Sequence, residues 1–268
     1  MKENFFPSRI IEIVGMLLIS LLLGTPYFST VGKGLPTEKN ILIFFALVGS
    51  IFIGISILVN ISKKQKMEWN FKIVDFRYLY LMLIIILIFQ IGFNSSINNL
   101  IHFLSRNKTE LSNPFLNMYF VLDVVIIGPI LEELICRGII LKGLLTRYSP
   151  KWAIIISTII FGLLHEFPLQ MCGAFLIGLF LGWIYYKTKS IGTVILLHSF
   201  ANFSILGYKY MNYRYSDSYP ISSVNILLII LSVPILIFMI RKLVIKITTF
   251  KSVTIIDAIY EVPLNPHN

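Results

Sequence analysis

Charge is scarce in this chain. Only 13% of its 268 residues are Asp, Glu, Lys or Arg, about half the share usual in a soluble domain. With 56% hydrophobic residues and a mean hydropathy of +0.82, that composition excludes both an ordinary globular domain and a disordered chain. Cysteine is almost missing. Cys136 and Cys172 both fall in apolar runs and read as buried inert thiols, and nothing indicates a disulfide framework. Histidine is represented by four residues and no His-Glu-x-x-His occurs, so the familiar helical zinc site lacks its ligands. No period of 20–50 residues repeats, no low-complexity segment stands out, and no small-residue cleavage site follows the first apolar run. That run is therefore expected to remain as the first helix.

Apolar runs are what the chain has in plenty. Windows of about 20 residues suit a membrane span, and they predict an all-α polytopic membrane protein of about eight transmembrane helices. The candidates cover residues 10–29, 41–61, 78–97, 117–145, 152–166, 170–187, 191–208 and 221–241. Residues from Lys242 onward mix charge, Thr and two prolines and read as a tail. The net charge of +10 is first a topology signal, with contact to anionic lipid, and not a nucleic-acid footprint. If the N-terminus is cytoplasmic, that side carries Lys2, Arg9, Lys63, Lys64, Lys66, Lys72, Arg77, Lys142, Arg147, Lys151, Lys187, Lys189, Arg241, Lys242, Lys246 and Lys251, 16 in all. The opposite side carries 6: Lys33, Lys39, Arg106, Lys108, Lys209 and Arg214. The bias predicts a multi-pass protein of the cell membrane with both termini in the cytoplasm.

Against this apolar ground a few polar residues are conspicuous. Glu132, Glu133 and Arg137 lie within one span. Each charge costs about 2.5–3.5 kcal/mol at a helix centre, roughly 8–10 kcal/mol for three by simple addition, unless they share a polar site. Glu133 and Arg137 are i and i+4 with the acid first, the favourable order for a helical ion pair. Glu132 points about 100° away, so it is the less neutralised carboxylate and the candidate base for water activation. Pro129 has no N–H for the carbonyl of Val125, so the helix should kink or loosen there. Phe161 and His165 share a face of the next span, and His198 and Asn202 share a face of the seventh, where they could donate to a developing oxyanion. Ala174, Gly178 and Gly182 read as a close-packing stripe. Asp123, Glu12 and His102 lie nearer helix ends or loops, where solvation suffices.

Taken together, Glu132-Glu133-x-x-x-Arg137, Phe161-x-x-x-His165 and His198-x-x-x-Asn202 on successive helices resemble the CAAX protease and bacteriocin-processing (Abi-type) family, related to the type II CAAX prenyl endopeptidase. The Gly128-Pro129 pair and the run from Gly182 to Lys187 resemble it too; Cys136 departs from it, where Phe commonly precedes the arginine. The resemblance covers about 115–208 and implies a protease core there, with three helices before it (1–114) and a last helix and tail after it (209–268). It implies an intramembrane endopeptidase acting on a peptide or membrane-associated protein, in bacteriocin or signal-peptide processing or self-immunity. By the resemblance Glu132 with His165 activates water, His198 and Asn202 stabilise the oxyanion, and Glu133 with Arg137 holds the helix, Phe161 supporting. No cofactor is expected; zinc is the alternative, from the family's older metalloprotease label. A non-proteolytic immunity or regulatory protein, partnered with a sensor kinase or transporter, is the second reading. A transporter is the third, weakened by the lack of an inverted repeat.

Overall fold

The computed structural model describes residues 5–27, 37–104, 115, 117–165, 168–215 and 221–260. Among the described residues the regular structure is all helix. We number eight helices. α1 is Ile10–Gly24 and α2 is Thr37–Ser62. α3 runs unbroken through Phe76–Leu87, a π-helical stretch Ile88–Ser95 and Ser96–Leu104. α4 strings together Met118–Leu122, π-helical Asp123–Ile127, Gly128–Glu133, π-helical Leu134–Leu141 and Lys142–Leu144. α5 is Pro150–Leu163, α6 Pro168–Thr188, α7 Ile191–Tyr215 and α8 Ile221–Tyr260.

Among the described residues, five stretches are long and apolar enough to cross a membrane: Leu42–Ser62, Phe76–Leu100, Gln170–Thr188, Ile191–Arg214 and Asn225–Ile247. Ile10–Gly24 and Pro150–Leu163 are shorter apolar helices. Large side chains on the outer helices face outward, among them Ile11, Leu22, Leu58, Ile230 and Phe238. Apolar surface on that scale is a liability in water and is ordinary in lipid. The chain is a multi-pass, all-α membrane protein.

Several boundaries differ from expectation. α5 stops at Leu163, leaving His165 in the turn beyond it. α8 continues to Tyr260, well past the expected end at 241, because nothing between Lys242 and Tyr260 breaks a helix: the two prolines of the expected tail come later in the sequence. The expected end of the first span, at 28–29, and the expected core boundary at 114 lie outside the described residues. So does the side chain of His102.

α4 and α7 form the centre. α4 packs against α2, α5, α6 and α7, while α7 also packs against α3 and α6. Their core residues, Ile139, Ile140, Leu141, Val194 and Leu197, are wholly buried. α6 lies closest to α5, where the small residues were expected to work: a Cβ on Gly178 would come within 2.9 Å of Thr158 Cγ2, and one on Gly182 within 3.1 Å of Ile154 Cγ2.

Two sets of contacts mark the ends of the bundle. At one end the Phe6 backbone exchanges hydrogen bonds with Asn60 (2.9 and 2.7 Å), and the Lys142 ammonium donates to Glu68 O (3.1 Å). There too the Val74 N–H donates to Thr193 Oγ1 (3.0 Å), Ser190 Oγ donates to Lys72 O, and Lys246 stands over the Tyr78 ring. At the other end Asn99 Nδ2 donates to Tyr208 OH at 2.6 Å and Phe115 meets Tyr210 edge-on. The first set joins the N-terminus, the α2–α3 segment, the end of α4, the start of α7 and the end of α8. These are the segments that the charge count assigns to one side.

Candidate active site

Arg137 anchors the site. It is 1% exposed, on the central helix, and three partners surround it. Nη1 donates to Glu133 Oε1 at 2.9 Å, Nη2 donates to Gly178 O at 3.1 Å, and the guanidinium lies 4.6 Å from the Phe161 ring centroid. The second of these comes from a position that needs a glycine. A Cβ at 178 would fall 2.9 Å from Thr158 Cγ2 and 3.1 Å from the Phe161 ring, so Gly178 serves helix approach while its carbonyl binds the cation.

The adjacent acids differ in environment. Glu133 is fully buried, and its Oε1 also accepts from His198 Nδ1 at 2.8 Å. Oε2 of Glu133 is buried with no hydrogen-bond partner among the described residues. Glu132 is 35% exposed, and its Oε2 lies 3.7 Å from His198 Nε2. That distance is too long for a hydrogen bond, yet it allows closure or a bridging water. His198 therefore stands between both acids. Since Glu133 Oε1 can only accept, Nδ1 carries a proton, and Nε2 is the nitrogen left toward Glu132.

Phe161 is the hub between the imidazoles. Its ring lies edge-on to His165 at 5.0 Å and to His198 at 5.5 Å. His165 Nδ1 meets Phe161 O at 3.0 Å. A carbonyl only accepts, so this histidine too holds its proton on Nδ1, and its Nε2 meets no hydrogen-bond partner among the described residues. The structure thus brings His198 to the paired acids and leaves His165 across the phenylalanine from them.

Asn202 is held by the backbone of α4, and the reason lies in Pro129. In the π-helical stretch the Gly128 N–H reaches back to Asp123 O. The next donor in that register would be residue 129, for the carbonyl of Val124, and proline has none. Asn202 Nδ2 supplies the missing bond, donating to Val124 O at 2.8 Å. The expected loosening around Pro129 is there, but the carbonyl that a neighbour rescues is Val124's. One Nδ2 hydrogen of Asn202 remains for other use.

Residues that the motifs did not single out complete the picture. Ser157 Oγ donates to Cys136 O at 2.9 Å within the second π stretch. Gly128 lets the π-helical turn close on the Asp123 carbonyl, since a Cβ there would fall 2.8 Å from that oxygen. Asp123, set aside from the sequence, is near enough to Glu132 for the carboxylates to repel. A lone serine or a glycine before a proline carries no chemical signature, so only the fold reveals these roles. Glu12, by contrast, does what a helix start needs, accepting from the N–H of Ser8 and of Arg9 at 2.7 and 3.0 Å. Among the described residues no three His, Cys, Asp or Glu side chains are grouped to hold a metal ion. The nearest donor pair, Glu132 with His198, falls short of the usual three protein ligands for zinc.

Residues 114–204 match the family model of type II CAAX prenyl endopeptidase Rce1-like proteins, which bears out the resemblance read from the motifs over about a third of the chain. No curated protein and no solved structure matches the chain. At the level of the family, the match supports a CAAX-type intramembrane protease.

Proposed function

We propose that this protein is an intramembrane endopeptidase in which Glu132 activates the hydrolytic water. The reading proceeds from the family match over residues 114–204, and one observation carries it. Two adjacent carboxylates sit in opposite environments, Glu133 locked to Arg137 and His198, Glu132 partly exposed beside the His198 imidazole and within repelling range of Asp123. A base must be free to take a proton, and of the two only Glu132 is.

In this mechanism water lies against Glu132 and is deprotonated as it attacks a peptide carbonyl. The tetrahedral oxyanion is met by the free Nδ2 hydrogen of Asn202 and by His198, which donates there only with a proton on Nε2 as well as Nδ1; both side chains are fixed in advance by bonds to α4. The proton held by Glu132 then passes to the leaving amine. His165, whose Nε2 is unengaged, orients the water or the leaving group from the far side of Phe161. Glu133 and Arg137 hold His198 and the helix in place. No step requires a metal. The substrate is a peptide or membrane-associated protein in bacteriocin or signal-peptide processing or self-immunity, and the protein sits in the cell membrane with both termini in the cytoplasm.

The test is Glu132→Gln, which keeps size and hydrogen bonding but removes the base. It should abolish cleavage while the purified protein unfolds at the wild-type temperature, and chelators should leave wild-type cleavage unchanged. Cleavage at the wild-type rate by Glu132→Gln, or chelator loss rescued by zinc, would overturn the mechanism. Variants that cleave nothing yet still confer immunity would establish the regulatory reading instead.

A further inference from the structure

α3 carries a row of amides that the catalytic cluster does not use. Gln90, Asn94 and Asn98 are spaced i, i+4, i+8 on one face, and Asn99 adjoins them. Asn94 Nδ2 donates to Gln90 Oε1 at 2.9 Å, Asn98 Nδ2 reaches Asn94 Oδ1 at 3.4 Å, and Asn99 Nδ2 donates to Tyr208 OH on α7. Gln90 is 2% exposed, while Asn94, Asn98 and Asn99 are half-buried. The row thus runs from the interior toward an accessible end of the bundle. α6 makes room for it: a Cβ on Gly173 would fall 2.8 Å from Asn94 Oδ1.

Position relates the row to the catalytic cluster. α3 and α7 run in the same direction, because Val74 meets Thr193 at their starts and Asn99 meets Tyr208 near their ends. At about 1.5 Å per residue, stepping back from Asn99 to Gln90 and equally far from Tyr208 along α7 arrives beside His198 and Asn202. The row begins level with the reacting groups and leads away from them.

Capacity and spacing give it a ligand. An amide can make four hydrogen bonds, and those in the row leave Gln90, Asn94 and Asn98 each at least one donor and one acceptor. On a helix, positions i and i+4 lie about 6 Å apart along the axis. An extended peptide repeats its outward N–H and C=O every two residues, about 6.6 Å. Because Gln90 and Asn94 sit on the π-helical stretch, whose wider turns rise less than those of an α-helix, the three amides keep step with an extended backbone to within a few ångströms over the whole row. A peptide must be unwound to be hydrolysed, and an unwound peptide in hydrocarbon needs partners for every backbone group.

We propose that Gln90, Asn94 and Asn98 form a track that binds the extended backbone of the peptide substrate and leads it to Glu132 and His198. The proposal rests on the proteolytic reading for its substrate class. The competing role for such a row is hydrogen-bonded glue between helices.

Peptide binding is measured on full-length Glu132→Gln protein in detergent micelles, so that turnover plays no part. The probe is a dansyl-labelled (Leu-Ala)3 amide, compared with the same peptide N-methylated at alternate residues, with anisotropy corrected for protein-free micelles. Asn94→Leu and Asn98→Leu should each weaken binding of the parent peptide by about fivefold, as expected for one lost hydrogen bond. Gly173→Ala, which pushes Asn94 aside without removing it, should reproduce part of that loss. The N-methylated peptide should bind weakly and equally to all variants. Absence of binding by the parent peptide, equal binding of both peptides to the unmutated track, or variants that weaken both peptides alike would overturn the track; the last would mark the row as glue. Cleavage by Glu132→Gln would count against the proteolytic mechanism while leaving the binding result to stand or fall by itself.

Discussion

Neutralising Glu133 removes the acid on which two other groups depend. In Glu133→Gln, Arg137 keeps the Gly178 carbonyl and the Phe161 face but loses the carboxylate that lies 2.9 Å away. Breaking a buried pair by deleting one partner costs about 3–5 kcal/mol, because the remaining charge is stranded. For a chain of this size 1 kcal/mol corresponds to about 2–4 °C in melting temperature, so a fall on the order of 10 °C is expected. Adding Arg137→Gln removes the stranded cation and should restore a substantial part of that loss, though not activity, since His198 Nδ1 still lacks its carboxylate at 2.8 Å. Thermal unfolding of purified protein in detergent, followed by tryptophan fluorescence and by loss of the monodisperse peak, supplies both numbers. The reasoning fails if Glu133→Gln melts within about 2 °C of wild type, or if the double variant is less stable than the single one; either would mean that Arg137 is solvated and not paired.

Three further predictions address other links. Reporter fusions after residues 100 and 150 should report opposite sides of the membrane, the first outside; both on one side would contradict the topology drawn from the 16-to-6 charge split. Asn202→Leu strands the Val124 carbonyl, so it should cost about 1–3 kcal/mol of stability and depress kcat more than KM, whereas a purely solvent-facing asparagine would move neither. Asp75 caps α3 through the Arg77 N–H and side chain, which hold its carboxyl down at about 2. A lowered acid stabilises the fold above its unfolded value and ceases to do so as pH falls through the folded one. Asp75→Asn should therefore narrow its stability gap to wild type between about pH 4 and pH 2 and leave the gap constant from pH 5 to 8, as read by unfolding at each pH.

Much of this site was legible because hydrocarbon makes polarity expensive. Glu132, Glu133, Arg137, His198 and Asn202 stood out from apolar runs by their cost alone, and their i, i+4 spacings placed Glu133 with Arg137 correctly. Spacing within a helix says nothing about which helices meet, and there the reading fell short. The resemblance paired His165 with Glu132 and gave His198 to the oxyanion, whereas the packing of α7 against α4 puts His198 beside Glu132, with Phe161 between the two rings. The small residues of α6 were legible as packing. That Gly178 lends its carbonyl to Arg137 was not, since every residue has a carbonyl. The end of α8 was misplaced because charge and Thr were taken to stop a helix, whereas they are tolerated in one whose far turns leave the apolar layer.

The least legible feature ties the others together. Three π-helical stretches interrupt the two helices that flank α7, and π geometry is uncommon and concentrates at functional sites. Such a stretch widens the turn and leaves a carbonyl out of register, so it persists only if something else binds that oxygen. In each stretch a side chain does so: Ser96 Oγ takes Ile91 O at 3.2 Å, Asn202 Nδ2 takes Val124 O at 2.8 Å, and Ser157 Oγ takes Cys136 O at 2.9 Å. Two of those donors come from other helices, so the irregularities of α4 are fastened by α5 and α7 rather than by its own sequence. The acids lie between the two fastened stretches of α4, on the six regular residues Gly128–Glu133. A helix clamped on either side of its reactive pair cannot rotate one acid into the other's place. That fixity is what keeps Glu133 on Arg137 and leaves Glu132 free, the asymmetry on which the proposed chemistry depends.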